Sequence, residues 1–315
     1  MKETFKNDVN EGLSKTSKTL PSKYFYDAIG DKIFIKIMHM PEYYLTRAEH
    51  EIFKTKTAAI INALNISKDS KFDIIELGAG DGTKTKLLLE DLVSKEYQFK
   101  YLPIDISKDA LNHLKCSLSK EISSLEVETK QGDYFHVLDD LKSHKNKKII
   151  LFLGSNIGNM SDDEAKQFLE KLGNSIHKDD VILLGADLIK SEDIVLPAYS
   201  DDAGVTKSFN LNLLTRINSE LEANFNINKF EHLATYTEDE GIARSFLVSK
   251  EKQEVEIKSL QKSFLFEANE KIHTEDSRKY NNQILENLLE NTSLQISNKL
   301  TDSNNYFADY ILTKK

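Results

Sequence analysis

Residues 74–85 read IIELGAGDGTKT: an apolar run, an acid at Glu76, then glycines at positions 78, 80 and 82. An apolar run closed by nearby glycines is how a parallel strand turns tightly into a helix beneath a nucleotide-like ligand. Glycine belongs there because a side chain would hold the ligand off the backbone, and because such turns often need positive φ. The spacing is GxGxG. A dinucleotide fingerprint wants GxGxxG, with its third glycine one residue later and a pyrophosphate over the helix N-terminus. Read alone, the same letters also fit an ordinary glycine-bearing strand-to-helix turn.

Working outward, FKYLPID (99–105), KKIILFLG (147–154) and DVILLGAD (180–187) are predicted to be buried strands. Between them KDALNHLKCSLSKEI and SDDEAKQFLEKLGNSI carry apolar faces at helical period, with Ser161 placed as an N-cap for the second. Strands alternating with helices imply a parallel sheet covered on both faces, whose strand C-termini form the ligand crevice. Chemistry is therefore expected just after residues 78, 105, 132 and 154. Residues 1–57 and about 190–280 break the alternation. The second of these stretches holds a helical segment, VTKSFNLNLLTRINSELEANF, and then expected strands around 231–237, 242–249, 253–259 and 263–274. Together they are read as a second, discontinuous α+β domain for substrate (1–57 plus 190–280) beside a cofactor-binding domain (58–189 plus 281–315).

Bulk composition narrows the function. The 315 residues carry a formal charge of -9 and no basic stripe interleaved with aromatics, which argues against a nucleic-acid partner. One cysteine, Cys116, excludes an intramolecular disulfide and any multi-cysteine metal site, and the eight histidines lack zinc-like spacing, so no metal is expected. No apolar stretch approaches the roughly 20 residues of a membrane span, and the polar start has no signal-peptide core. The expectation is a cytoplasmic monomer acting on a small molecule.

The ELGxGxG segment resembles motif I of the class I methyltransferases, whose cofactor is S-adenosylmethionine (SAM), a nucleoside bearing a sulfonium amino acid. It has no phosphate, so Glu76 beside the glycines is tolerable. The implied fold is α/β, Rossmann-like, with a mostly parallel sheet. Gly78 and Gly80 would then lie against the cofactor, and Asp105, ending the second strand about twenty-five residues on, could accept its ribose hydroxyls. Asp105 could equally cap the helix starting near Lys108. Asp133, after Gly132, is placed to meet the adenine amino group, with Tyr134 offering a ring face. Lys84, in the first helical turn, either reaches the cofactor's carboxylate or faces solvent. Asn159, closing GSNIGN (154–159), either orients an amino-acid substrate or occupies a turn or cap beside Ser161.

Five further stretches, LPSKYFYDAIGDKIFIKI (20–37), MPEYYLTRAE (40–49), LFLGSNIGN (151–159), AYSDDAGVTKSFNLNLL (198–214) and FEANEKIHTEDSRKY (266–280), closely resemble the ergothioneine-pathway histidine Nα-methyltransferase family. The resemblance runs over nearly the whole chain and weakens after 281. It implies that Tyr26 lies near the amine being methylated and that Tyr43 helps hold the substrate. Asn159 and Tyr199 would bind the substrate's α-carboxylate and amino end. Glu275 and Ser277 would grip the imidazole, and Gly78, Lys84, Asp105 and Asp133 match the cofactor positions. The reaction implied is SAM-dependent methylation of the α-amino group of L-histidine, up to three times.

The residues themselves bear on this. If 270–278 is extended, Glu275 and Ser277 share one face while Thr274 and Asp276 point away. Without the resemblance, EDSRK reads as a solvated edge, and the three tyrosines as half-buried packing residues. GIARSFLVS (241–249) departs from the family near Arg244 and Ser245, where a methionine commonly lines the imidazole pocket, so another, aromatic amino acid is an alternative substrate. A sensor that binds without catalysis and a nicotinamide-dependent oxidoreductase are the remaining alternatives.

Overall fold

The computed structural model describes residues 2–132 and 145–315. The chain forms two compact units, Met1–Tyr44 with Lys190–Arg278 and Leu45–Ile189 with Lys279–Lys315. It opens with α1 (Lys2–Ser14), the two-residue β1 (Lys18–Thr19) and α2 (Ala28–Met38). After α3 (Tyr44–Ala63) comes the alternating run: β2 (Phe72–Leu77), α4 (Thr83–Ser94), β3 (Phe99–Asp105), α5 (Lys108–Glu121), short β4 (Glu126–Val127) and β5 (Lys130–Gln131), β6 (Lys147–Phe152), α6 (Asp162–Ser175) and β7 (Val181–Asp187). Next are α7 (Glu192–Tyr199), α8 (Val205–Leu221), β8 (Phe230–Thr235), β9 (Ile242–Ser249), β10 (Gln253–Ile257), β11 (Lys262–Phe266) and β12 (Lys271–Arg278). The chain closes with α9 (Asn282–Leu289), β13 (Leu294–Thr301) and β14 (Phe307–Lys314).

In the unit built from Leu45–Ile189 and Lys279–Lys315, the sheet order is β13-β14-β7-β6-β2-β3-β4, with β5 also against β3. The strands from β2 to β7 pair in parallel, and the β13–β14 hairpin adds antiparallel to β7. Every residue of β2 is buried, which is why an unbroken apolar run suits this position. Period two sorts these runs between two cores. Ile75, Leu77, Ile104 and Phe152 meet α6 and α9 through Phe168, Leu172 and Leu285, while Ile74, Tyr101 and Leu151 meet α3, α4 and α5 through Ile52, Leu88 and Leu114. Ser161 caps α6 in a full capping box with Glu164, as its position predicted. Strand order reverses at β2, with β3 on one side and β6 on the other, and ligands of open α/β sheets bind at the carboxyl end of such a switch point.

The helix α3 runs across the boundary at 57 and 58 expected from sequence, with a kink at Lys56 (φ -121, ψ 15), and from Leu45 onward it belongs with the parallel sheet. In the other unit a sheet of order β1-β12-β9-β8 packs against α1, α2 and α8 around Phe5, Phe25, Phe209, Leu213, Phe230, Leu247 and Ile272, and β10–β11 form a separate hairpin. The strand expected over 263–274 is two strands. Asn269, at φ 68, turns the chain between them.

Candidate functional site

The glycine turn is built by the geometry that its letters suggested. Gly78 N and Ala79 N both donate to Ile104 O, at 2.8 and 3.3 Å, which locks the end of β2 to the end of β3. Gly82 caps α4 at φ 67, and a Cβ there would collide with Leu114 Cδ1, so glycine is required on both conformational and steric grounds. At Gly80 a Cβ would meet nothing within 4 Å among the described residues, leaving the backbone open to them on that side.

Asp105 is brought to this turn. Its Oδ2 accepts from Gly80 N at 3.3 Å and its Oδ1 from Ser107 N at 2.9 Å. The helix cap alternative fails: Ser107 caps α5, its Oγ accepting from Ala110 N. Glu76, adjacent in sequence, turns into the core, where its carboxylate accepts from Thr85 Oγ1 at 2.7 Å and from the Tyr101 hydroxyl. Burial pushes its pKa up to about 7, against the pull of those two hydrogen bonds and of Lys84.

Lys84 is neither free in solvent nor fully buried, with 21% of its side chain exposed, and it pairs with Glu49 of α3. Burial opposes its charge, but Glu49 more than offsets that and holds its pKa above the ordinary lysine value. Asn159 ends a 3-10 turn (Asn156–Asn159) in this same unit and is exposed. The left-handed residues of that loop are Gly154, at φ 72, and Ser155, at φ 57, so Asn159 does not fill the left-handed turn position that was one of its alternatives. Asp133 and Tyr134 lie outside the described residues.

The other unit gathers the remaining candidates. Strand β12 carries a bulge: His273 pairs with Phe246 and Glu275 with Ser245, leaving Thr274 unopposed. The extra residue switches the faces. Glu275 and Ser277, opposite Ser245 and Ala243, join Ile272 and Leu247 on the inner side of the sheet, whereas Asp276 lies opposite Arg244. His273 Nε2 meets Asp276 Oδ1 at 2.9 Å across the bulge, which places those two together on the outer face. Thr274 departs from the expectation that it points away. It is buried, donating to Asn210 Oδ1 or Ser245 O at 2.9 and 3.0 Å.

Tyr199, at the end of α7 and 7% exposed, shares a 2.7 Å hydrogen bond with Ser277 Oγ. Tyr26 packs edge-on against Phe34 and Phe209, with ring centroids 5.4 and 5.6 Å away, and Phe34 in turn meets Tyr43 at 6.3 Å. Although 38% of Tyr26 is exposed, the surrounding protein desolvates its hydroxyl, and the charge of Glu275 with the neighbouring Tyr43 and Tyr199 adds to that. Its pKa is pushed well above the ordinary phenol value, so it remains a neutral phenol. Tyr26, Tyr43, Tyr199, Glu275 and Ser277 thus form one neighbourhood. Arg244 is directed elsewhere, to Glu240 at 2.7 Å and Asp276 at 3.6 Å, and of the two departing residues Arg244 and Ser245 only Ser245 shares the face of Glu275.

Sequence reasoning missed Phe34 and Phe209, whose letters look like any core aromatic, and Glu49, one acid among several on a charged helix. It also passed over Asn156, whose amide lies 3.3 Å from where a Cβ on Gly78 would sit. Among the described residues no group of three or more histidine, cysteine or acidic side chains could hold a metal ion, and no helix is long and apolar enough to cross a membrane.

A parallel sheet that reverses at a glycine turn, answered by an acid at the end of the next strand and finished by an antiparallel hairpin, defines a class I methyltransferase fold. The chain belongs to the family described as histidine-specific, SAM-dependent methyltransferases, whose model matches residues 5–314. It is 35% identical over 278 residues to the histidine N-alpha-methyltransferase of Mycolicibacterium smegmatis, covering 88% of this chain and 85% of that protein. The corresponding Mycobacterium tuberculosis protein has the same identity and coverage. The ergothioneine biosynthesis protein 1 of Schizosaccharomyces pombe is 29% identical across 94% of this chain, which spans 39% of that longer protein.

Proposed function

We propose that this protein transfers methyl groups from SAM to the α-amino nitrogen of L-histidine and repeats the transfer to the trimethylated betaine. The observation that carries the reading is the bulged strand that turns Glu275 and Ser277 inward beside Tyr199 and Tyr26. An imidazole has two nitrogens, and a carboxylate with a hydroxyl on one wall satisfies both. Tyr199 and Asn159 are assigned to the substrate's amino-acid end, and Tyr43 helps to hold it.

The residues of the parallel-sheet unit fit SAM. Gly80 leaves open backbone beside Gly78, Asp105 already accepts from the Gly80 amide and has lone pairs left for ribose hydroxyls, and Lys84 matches a carboxylate. Asp133 and Tyr134 are assigned to the adenine. When bound, SAM supplies an electrophilic methyl on a sulfonium. Positive charge then passes from sulfur to nitrogen, so little net charge is created and alignment does most of the work, which can amount to roughly 7–11 kcal/mol of barrier. Tyr26 stays protonated and serves by orienting: in the first two rounds its oxygen accepts an N–H of the neutral amine and aims the nitrogen's lone pair, while the dimethylated amine of the third round has no N–H and is held by the substrate's other contacts. The proton shed before each attack goes to water. The enzyme is read as a cytoplasmic monomer.

Mass spectrometry of a reaction with histidine and SAM, resolving mono-, di- and trimethyl products, tests the reading, with trimethylhistidine as the expected end point. Glu275→Ala should raise the KM for histidine about tenfold or more, the equivalent of losing about 1.4 kcal/mol, and leave the KM for SAM unchanged. Methylation of histamine as readily as histidine, or preference for another amino acid, would overturn it.

A further inference from the structure

Glu49 is a fully buried carboxylate on α3, and the parallel-sheet unit is shaped to receive it. Gly154 N donates to both of its oxygens, at 2.9 and 3.1 Å. Lys84 Nζ donates to Oε2. At Gly185 of β7 a Cβ would overlap Glu49 Oε1, with Leu153 Cα and Phe307 Cε1 each 3.2 Å away, so the strand leaves a glycine-sized gap that this carboxylate fills. In register with Gly185 stands Asp309 of β14, fully buried and with neither oxygen hydrogen-bonded among the described residues. Burial, and then the charge of Glu49, hold the pKa of Asp309 well above the ordinary value.

An ammonium on a four-carbon stem is a loosely placed charge, and fixing it in advance removes the ordering that a ligand would otherwise impose. Glu49 uses one of the three ammonium donors of Lys84 and ties that group to the backbone after β6. The other donors are left for an incoming anion.

We infer that Glu49 is a positioning residue that holds the Lys84 ammonium ready for the carboxylate of the cofactor's amino-acid end. The inference rests on the reading of Lys84 as the ligand of that carboxylate.

Calorimetric titration with two probes separates the possibilities. S-adenosylhomocysteine carries the carboxylate, and 5′-methylthioadenosine shares the nucleoside and thioether but lacks the amino-acid end. Glu49→Gln should weaken S-adenosylhomocysteine about tenfold or more, a loss typical of a residue that orients a ligand-binding group. It should leave 5′-methylthioadenosine within about twofold. Glu49→Asp, which keeps the charge but shortens the reach, should show the same selective loss, and it serves should the glutamine variant fail to fold. Lys84→Met should reproduce the pattern, and adding Glu49→Gln to it should weaken S-adenosylhomocysteine no further, because the two act as a unit. Equal weakening of both probes by the Glu49 variants, or an additive double variant, would reduce Glu49 to a packing role and overturn the inference. A silent Lys84→Met would instead remove the carboxylate reading on which it rests.

Discussion

Replacing Glu76 by glutamine isolates what it costs to bury a carboxylate beneath the glycine turn. The folded-state pKa of Glu76 is raised from an ordinary 4.5 to about 7, chiefly by burial. Because the folded protein holds this proton more tightly than the unfolded chain, stability is fully present below pH 4.5 and is lost as the pH rises through 7. The gap of about 2.5 pH units, at about 1.4 kcal/mol each, amounts to about 3.5 kcal/mol at full ionisation. Glutamine matches the shape and keeps both neighbours: its carbonyl accepts one hydroxyl, and its amide donates to the other, whether Thr85 or Tyr101. Urea unfolding of both proteins at pH 5 and pH 8 reads the difference, since every other titrating group is common to the two. The wild type should lose about 2.5 kcal/mol more than Glu76→Gln between those pH values, since about 0.8 kcal/mol is already lost at pH 5. Parallel pH dependence in the two proteins would refute the argument, and with it the view that Glu76 ionises at a cost inside the fold.

Gly82→Ala should lower stability by about 2–5 kcal/mol, combining a left-handed alanine with a methyl driven into Leu114, and an unchanged Tm would contradict the turn geometry. His232 titrates in the opposite sense to Glu76. Burial lowers its pKa from 6.5 to about 4, and its Nε2 is buried without a hydrogen-bond partner among the described residues, so stability present above pH 6.5 is lost as the pH falls toward 4. His232→Leu should remove up to about 3 kcal/mol of that acid loss, measured by unfolding at pH 7 and pH 4.5.

The parallel sheet was legible because an unbroken apolar run buried on both faces has few other uses, and 99–105 is a strand over the whole of its expected span. The glycine turn was legible for the same local reason, as was Asp105 at the end of the next strand. Its companion cap was less so, since Asp105 and Ser107 are equally good capping residues and only the folded geometry assigns the role to Ser107. The substrate side was harder to read. Strict alternation along 271–278 puts Thr274 opposite in sense to Glu275, but register is set by the partner strand, and no letter in IHTEDS announces an inserted residue. Glu49 was invisible for a related reason: it acquires meaning only through a glycine on β7 and an amide after β6, more than one hundred residues away.

That inserted residue also sets which changes of length β12 can absorb. Substitutions at Glu275 or Ser277 each remove one contact, whereas deleting Thr274 would leave His273 and Glu275 consecutive opposite Phe246 and Ser245, restoring unbroken pleating with Glu275 still inward. Deleting Asp276 instead would carry Ser277 to the outer side and bring Arg278 inward while the strand stayed paired. Where a gap falls, more than whether there is one, therefore decides what a relative presents from this strand.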